Sequence, residues 1–107
     1  MKLVIVESPY AGDIARNVQY ARLCVKDSLD RGEAPLASHL LYTQEGILND
    51  SMAVERLKGI EASLAWHKVV DKTVVYTDHG ISRGMQCGIV AAHARNIPIE
   101  YRKLFPG

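Results

Sequence analysis

One short run constrains this chain more than any other feature. "KLVIVE", residues 2–7, is apolar without interruption until it meets a carboxylate. A strand with one wet face alternates apolar and polar residues, whereas a strand covered on both faces does not. The run therefore predicts a central strand with helices packed on each side. The next thirty residues fit that plan. "SPYAGD" carries turn chemistry, and Asp13 is placed to cap a helix along which Ile14, Val18, Ala21, Val25 and Leu29 form one apolar stripe. Gly32 ends that helix as the residue beyond its C-cap.

Strand and helix patterns then alternate to the end. "APLASHLL" (34–41) predicts a second strand, "YTQEGILND" a polar loop, and Asn49 or Asp50 the cap of a second helix with Ala53, Leu57, Ile60 and Leu64 on its buried face. "KTVVYTD" (72–78) predicts the third strand, "SRGMQCGIVAAHARN" (82–96) the third helix, and "IPIEYR" (97–102) the fourth strand, which leaves "KLFPG" as a frayed tail. Such alternation requires right-handed crossovers between parallel strands. The expected fold is one domain, residues 1–107, a three-layer α/β architecture of flavodoxin or Rossmann type with a four-stranded parallel sheet in the order 2-1-3-4.

Composition narrows the function classes. At 107 residues the chain can hold one core, and 48% hydrophobic against 23% charged residues is ordinary globular make-up. No apolar run approaches a membrane span, and the first ten residues read as a strand rather than a signal peptide, so a cytoplasmic protein is expected. A net charge of +1 with scattered basic residues lacks the footprint of a nucleic-acid polymer binder. Cys24 and Cys87 are expected to be buried thiols, and neither metal nor cofactor is expected, because no cysteine or histidine spacing suggests ligation.

In the order 2-1-3-4 the winding direction reverses between strands 1 and 3, and ligands of open α/β sheets bind beyond the strand carboxyl ends at such a point. The two stretches meeting there are "ESPYAG" and "DHGISRG". Glu7 and Asp78 end adjacent strands, so either can supply a carboxylate, or each can simply form a turn or an ion pair. Tyr10 could stack on a base or orient a carboxylate, and it could equally lie as a lid over the first helix. Ser82 caps the third helix, and with Arg83 and Gly84 it could seat an anion, Gly80 and Gly84 letting the backbone come close. His39 follows the second strand, and Arg16 and Asn17 lie in the first turns of the first helix as further polar lining.

"ESPYAGD", "RNVQYAR", "GEAPLASHLLYTQ" and "YTDHGISRGM" together resemble the nucleoside 2-deoxyribosyltransferase-like superfamily, over nearly the whole chain and especially its small bacterial and phage members. The resemblance implies a nucleoside or nucleotide ligand and cleavage of an N-glycosidic bond, the sugar passing to another base or to water, at sites assembled between subunits. For that chemistry the mouth itself offers Asp78, Glu7 and Tyr10 as candidate catalytic residues, and Ser8, Gly12, Asn17, His39, Ser82, Arg83, Gly84 and Met85 as candidate ligand contacts. In the "S-x-G-M-x-x-E" form of the family, Ser82, Gly84 and Met85 match while the glutamate position falls on Gly88; another registration places it on Gln86. Two readings are open: an N-glycosidase or deoxyribosyltransferase, or a catalytically silent module that senses or sequesters a nucleotide. A homodimer or larger oligomer is expected, because three helices cover only part of two sheet faces and the second helix carries extra apolar residues, Val54, Trp66 and Val69 among them.

Overall fold

A computed structural model describes residues 1–106. Its four strands, β1 (Leu3–Glu7), β2 (Ala34–Leu36), β3 (Lys72–Tyr76) and β4 (Ile99–Arg102), form one parallel sheet in the order β2-β1-β3-β4. Helix α1 (Ile14–Asp30) follows β1, α2 (Ser38–Leu41) and α3 (Ala53–Ala65) lie between β2 and β3, and α4 (Arg83–Ala94) precedes β4. A 3-10 turn over Trp66–Lys68 continues α3.

The uninterrupted apolar strands are covered on both faces. Val4, Val6, Val74 and Tyr76 pack with Tyr20 and Cys24 of α1. On the other face Val75 packs with Met85 and Ile89 of α4. Asp13 accepts the backbone N–H of Arg16 at 3.2 Å, and Gly32 follows the C-cap of α1 at φ +80°, a left-handed turn that glycine enters without strain.

Several elements differ from expectation. The buried face of α1 is Asn17, Tyr20, Ala21, Cys24 and Ser28, while Ile14 and Leu29 are exposed. The apolar stripe was real, but the face turned toward the sheet is the neighbouring one, chosen by polar groups with buried partners. β2 stops after three residues, and the leucines of "SHLL" continue it as the single helical turn α2, since short apolar runs suit either period. β3 and β4 are likewise shorter than expected. The cap of α3 is Met52; Asn49 instead receives the N–H and hydroxyl of Ser51. No residue of α3 is buried, and Leu57 and Ile60 of its supposed core face are exposed. Cys24 is buried but Cys87 is exposed. The tail is not frayed at its start: Leu104 packs against the α1-side core, and the N–H groups of Leu104 and Phe105 both donate to Asp78.

The α1 face holds a buried ionic cluster. Arg102 of β4 donates through both terminal nitrogens to Glu33, at 2.8 and 2.7 Å, and through Nε to Glu100. Lys72 reaches Glu33 at 3.0 Å and Glu100 at 2.9 Å, and Ser28 donates to Glu33 at 2.8 Å. The Tyr76 hydroxyl accepts from Arg102 and donates to Asp27 of α1. The Arg102 guanidinium, helped by Lys72 and Ser28, holds the Glu33 carboxyl far below the ordinary carboxylate range. A carboxylate with a depressed pKa stabilises the fold above its ordinary value near 4.5, and that stability is lost as pH falls below it. Arg102→Ala removes the two-pronged partner of buried Glu33 and leaves it only Lys72 and Ser28, so urea unfolding at pH 7 should show a loss of about 3–5 kcal/mol. A loss under about 1 kcal/mol, the value typical of an exposed pair, would show that the cluster does not hold the sheet together.

Candidate active site

Loops and helix starts converge beyond the carboxyl ends of β1, β2 and β3. Asn17, buried in α1, donates to the carbonyls of Tyr10 and Ala11 at 2.8 and 3.1 Å and so fixes the course of residues 8–13. Gly12 turns that loop at φ +101°. Ser8 is buried, and its Oγ lies 2.6 Å from Nε2 of His39, which belongs to the α2 turn. Burial pushes the His39 imidazole down to about 4, so the Ser8–His39 bond joins two neutral groups at pH 7.

Glu7 ends β1 and Asp78 lies two residues past the end of the neighbouring β3, and the two face opposite sides of the sheet. Glu7 follows Val6, which packs toward α1, and its carboxylate points instead against α4. Its register partner on β3 is Val75. Asp78 lies on the α1 side, where Oδ1 accepts the Tyr20 hydroxyl at 2.6 Å and the Leu104 N–H at 2.9 Å, and Oδ2 accepts the Phe105 N–H at 3.0 Å. Burial works against the Asp78 charge, but the N–H of Leu104, the hydroxyl of Tyr20 and the N–H of Phe105 outweigh it and hold the carboxyl below its ordinary range. The two acids are thus unlike: Asp78 is ionised and fully engaged, while Glu7 accepts no hydrogen bond from any described residue. Burial pushes the Glu7 carboxyl up to about 8.

The space that receives Glu7 is made by Gly88. A Cβ at position 88 would stand 2.2 Å from Glu7 Oε2 and 2.6 Å from its Cδ, so the strand-end carboxylate fills the volume where a side chain of α4 would otherwise begin. The helix is held in that register by its first turn. Ser82 Oγ accepts the N–H of Met85 at 3.3 Å, Met85 Sδ accepts the N–H of Ser82 at 3.4 Å, and Met85 itself is buried in the α4-side core. Met85 therefore sits behind the mouth, whereas Arg83 and Gly84 are exposed beside it. Gly80 turns the loop before α4 at φ +81°, a conformation other residues enter only with strain. Gln86 is exposed on α4.

Three residues at the mouth carry geometry that periodicity and spacing do not expose. Tyr20 lies off the apolar stripe read for α1, yet it ties Asp78 to the helix. Its phenol is pushed above the ordinary range by burial and by the bond to Asp78. His79 packs against it with the rings tilted and their centroids 4.3 Å apart, and it meets Arg16. In the sequence Gly88 stands out only as the position of the glutamate in the resembled family, with nothing to pair it with Glu7. Among the described residues no group of three or more histidines, cysteines or acids is placed to share a metal ion, and no helix is long and apolar enough to cross a membrane.

This architecture is similar to that of a solved 2-deoxyribosyltransferase from the psychrotolerant bacterium Bacillus psychrosaccharolyticus, described as a biocatalyst for the synthesis of antiviral and antitumoral nucleosides. The match has a TM-score of 0.66 at 15% identity and covers 98% of this chain and 74% of that one, a likeness of fold. No curated protein matches the sequence. A family model described as Domain of unknown function (DUF7768) matches residues 2–102, and the chain belongs to that family.

Proposed function

We propose that the mouth binds a nucleoside or nucleotide and that Glu7 is the acid that cleaves its N-glycosidic bond. The observation that carries this reading is the Glu7 carboxyl itself: at a strand carboxyl end, without a hydrogen-bond donor among the described residues, seated in space that only glycine at position 88 leaves open. An acid held neutral at pH 7 suits a proton donor to a departing base. As the bond from sugar to base breaks, the base leaves with the Glu7 proton. Water, or a second base, then adds to the sugar carbon and returns a proton to the carboxylate. Tyr10 lies in the loop that Asn17 fixes, where its ring can stack on the base, and the Ser8–His39 pair supplies neutral hydrogen-bonding groups beside it. Asp78 acts here by position, holding Tyr20 and residues 104 and 105 at the rim.

A silent binding module is the second reading, favoured by the absence of a carboxylate at both Gly88 and Gln86, where the family resemblance puts its glutamate. Incubation with a panel of 2′-deoxynucleosides and their 5′-monophosphates separates the two. Free base supports the enzyme, and thermal stabilisation without free base supports the module. Homo-oligomer formation belongs to the same proposal. It is supported by the exposed apolar residues Val54, Leu57 and Ile60 on α3 and Val90 on α4. A strict monomer in light scattering at micromolar concentration would overturn that part.

Glu7→Gln keeps the shape and removes the proton donor, so cleavage should fall at least about 100-fold. Stability should move the other way. A carboxyl whose folded pKa is raised stabilises the fold below its ordinary value near 4.5 and loses that contribution as pH rises through about 8. The variant should therefore melt higher than wild type at pH 9, by about 1 kcal/mol or more in unfolding free energy. Unchanged cleavage, or a variant less stable at pH 9, would contradict the role given to Glu7. Gly88→Ala should also suppress cleavage while the chain still folds, because the displaced atoms are the free end of a flexible side chain; full activity in that variant would show that the Glu7 position is immaterial.

A further inference from the structure

Arg16 in the first turn of α1 and His79 in the loop after β3 meet across the mouth, with Nη2 of Arg16 3.0 Å from Nδ1 of His79. A guanidinium only donates, so Nδ1 is the acceptor and the ring hydrogen sits on Nε2. The imidazole is also braced from its side. Its ring lies 4.3 Å from that of Tyr20 at an angle of 54°, and Tyr20 is anchored by its hydroxyl bond to Asp78. Arg16 has no carboxylate partner for its guanidinium among the described residues; Asp13 takes only its backbone N–H. The result is an exposed, unneutralised cation and an oriented Nε2–H, carried by the first turn of α1 and the loop after β3.

We infer that Arg16 and His79 form the seat of a phosphate monoester, so that the ligand is a nucleoside 5′-monophosphate rather than a nucleoside. The inference rests on the nucleoside reading of the mouth and adds the class of substrate to it. A guanidinium with spare N–H groups and a fixed imidazole N–H match the three terminal oxygens of a phosphate, and ionised donors make the stronger bonds. The start of α4 is the competing seat. There, however, Ser82 Oγ already accepts the N–H of Met85, and Arg83 has no residue orienting it among the described contacts.

Calorimetric titration of the full chain with the four 2′-deoxynucleoside 5′-monophosphates and the four matching nucleosides tests this. At least one monophosphate should bind tighter than its nucleoside, by about tenfold or more. Arg16→Ala should erase that preference and leave nucleoside affinity unchanged. His79→Gln should weaken it in the same way, and the preference should survive Arg83→Ala. Arg16 is exposed, so its truncation keeps the fold, and circular dichroism verifies it. Equal binding of monophosphate and nucleoside, a preference that survives Arg16→Ala, or one lost with Arg83→Ala would each overturn the inference while leaving the nucleoside reading intact. Binding of neither ligand class would remove both.

Discussion

The two-pronged bond between Arg102 and Glu33 is the interaction on which the rest of this small sheet depends. β2 and β4 are edge strands of three and four residues, too short to hold their places by ladder hydrogen bonds alone. Arg102 comes from β4, Glu33 from the entrance to β2, Lys72 from the start of β3, and Ser28, bonded to Glu33, from α1. A single cluster thus ties both edges and the covering helix to the centre. Ionic burial of this kind is costly unless each charge finds several partners. Here Glu33 receives Arg102, Lys72 and Ser28, and the Tyr76 hydroxyl carries the connection on to Asp27.

At the mouth the balance is different. Asp78 has a full set of donors, and through Tyr20 and the Leu104 and Phe105 N–H groups it closes the α1 side of the mouth. Glu7 has none from the described residues and is held by shape, in the hollow beside Gly88. Neighbouring strand ends therefore present one carboxyl held ionised by its donors and one pushed toward neutrality by burial. An acid kept in an unfavourable environment detracts from stability, and proteins retain such groups where chemistry or binding uses them.

Much of the framework was legible because it rests on local rules. The continuous apolar run at Leu3–Glu7, the caps at Asp13 and Ser82, and the left-handed turn at Gly32 each follow from steric or hydrogen-bonding preferences of a few residues. The parallel order follows from them through the handedness of crossovers. What escaped depends on partners that periodicity does not register. Periodicity marked an apolar stripe on α3 but cannot say what covers it, and Leu57 and Ile60 of that stripe stay exposed. It placed Ile14 and Leu29 inside although Asn17 and Ser28, with buried hydrogen-bond partners, took that side of α1. At the site, Glu7 ends β1 as expected while β3 stops at Tyr76, two residues short of Asp78, and alternation along the strands sent the two acids to opposite faces. The fit of Glu7 to Gly88 joins residues 81 positions apart and has no local signature.

The central claim is that Glu7 is an uncompensated acid at the mouth, kept protonated near neutral pH by its surroundings. Carbon-13 NMR titration of the glutamate side-chain carboxyl resonances, with Glu7 assigned by its loss in Glu7→Gln, measures this directly. The account predicts a Glu7 midpoint near 8; a midpoint near the ordinary 4.5 would contradict it.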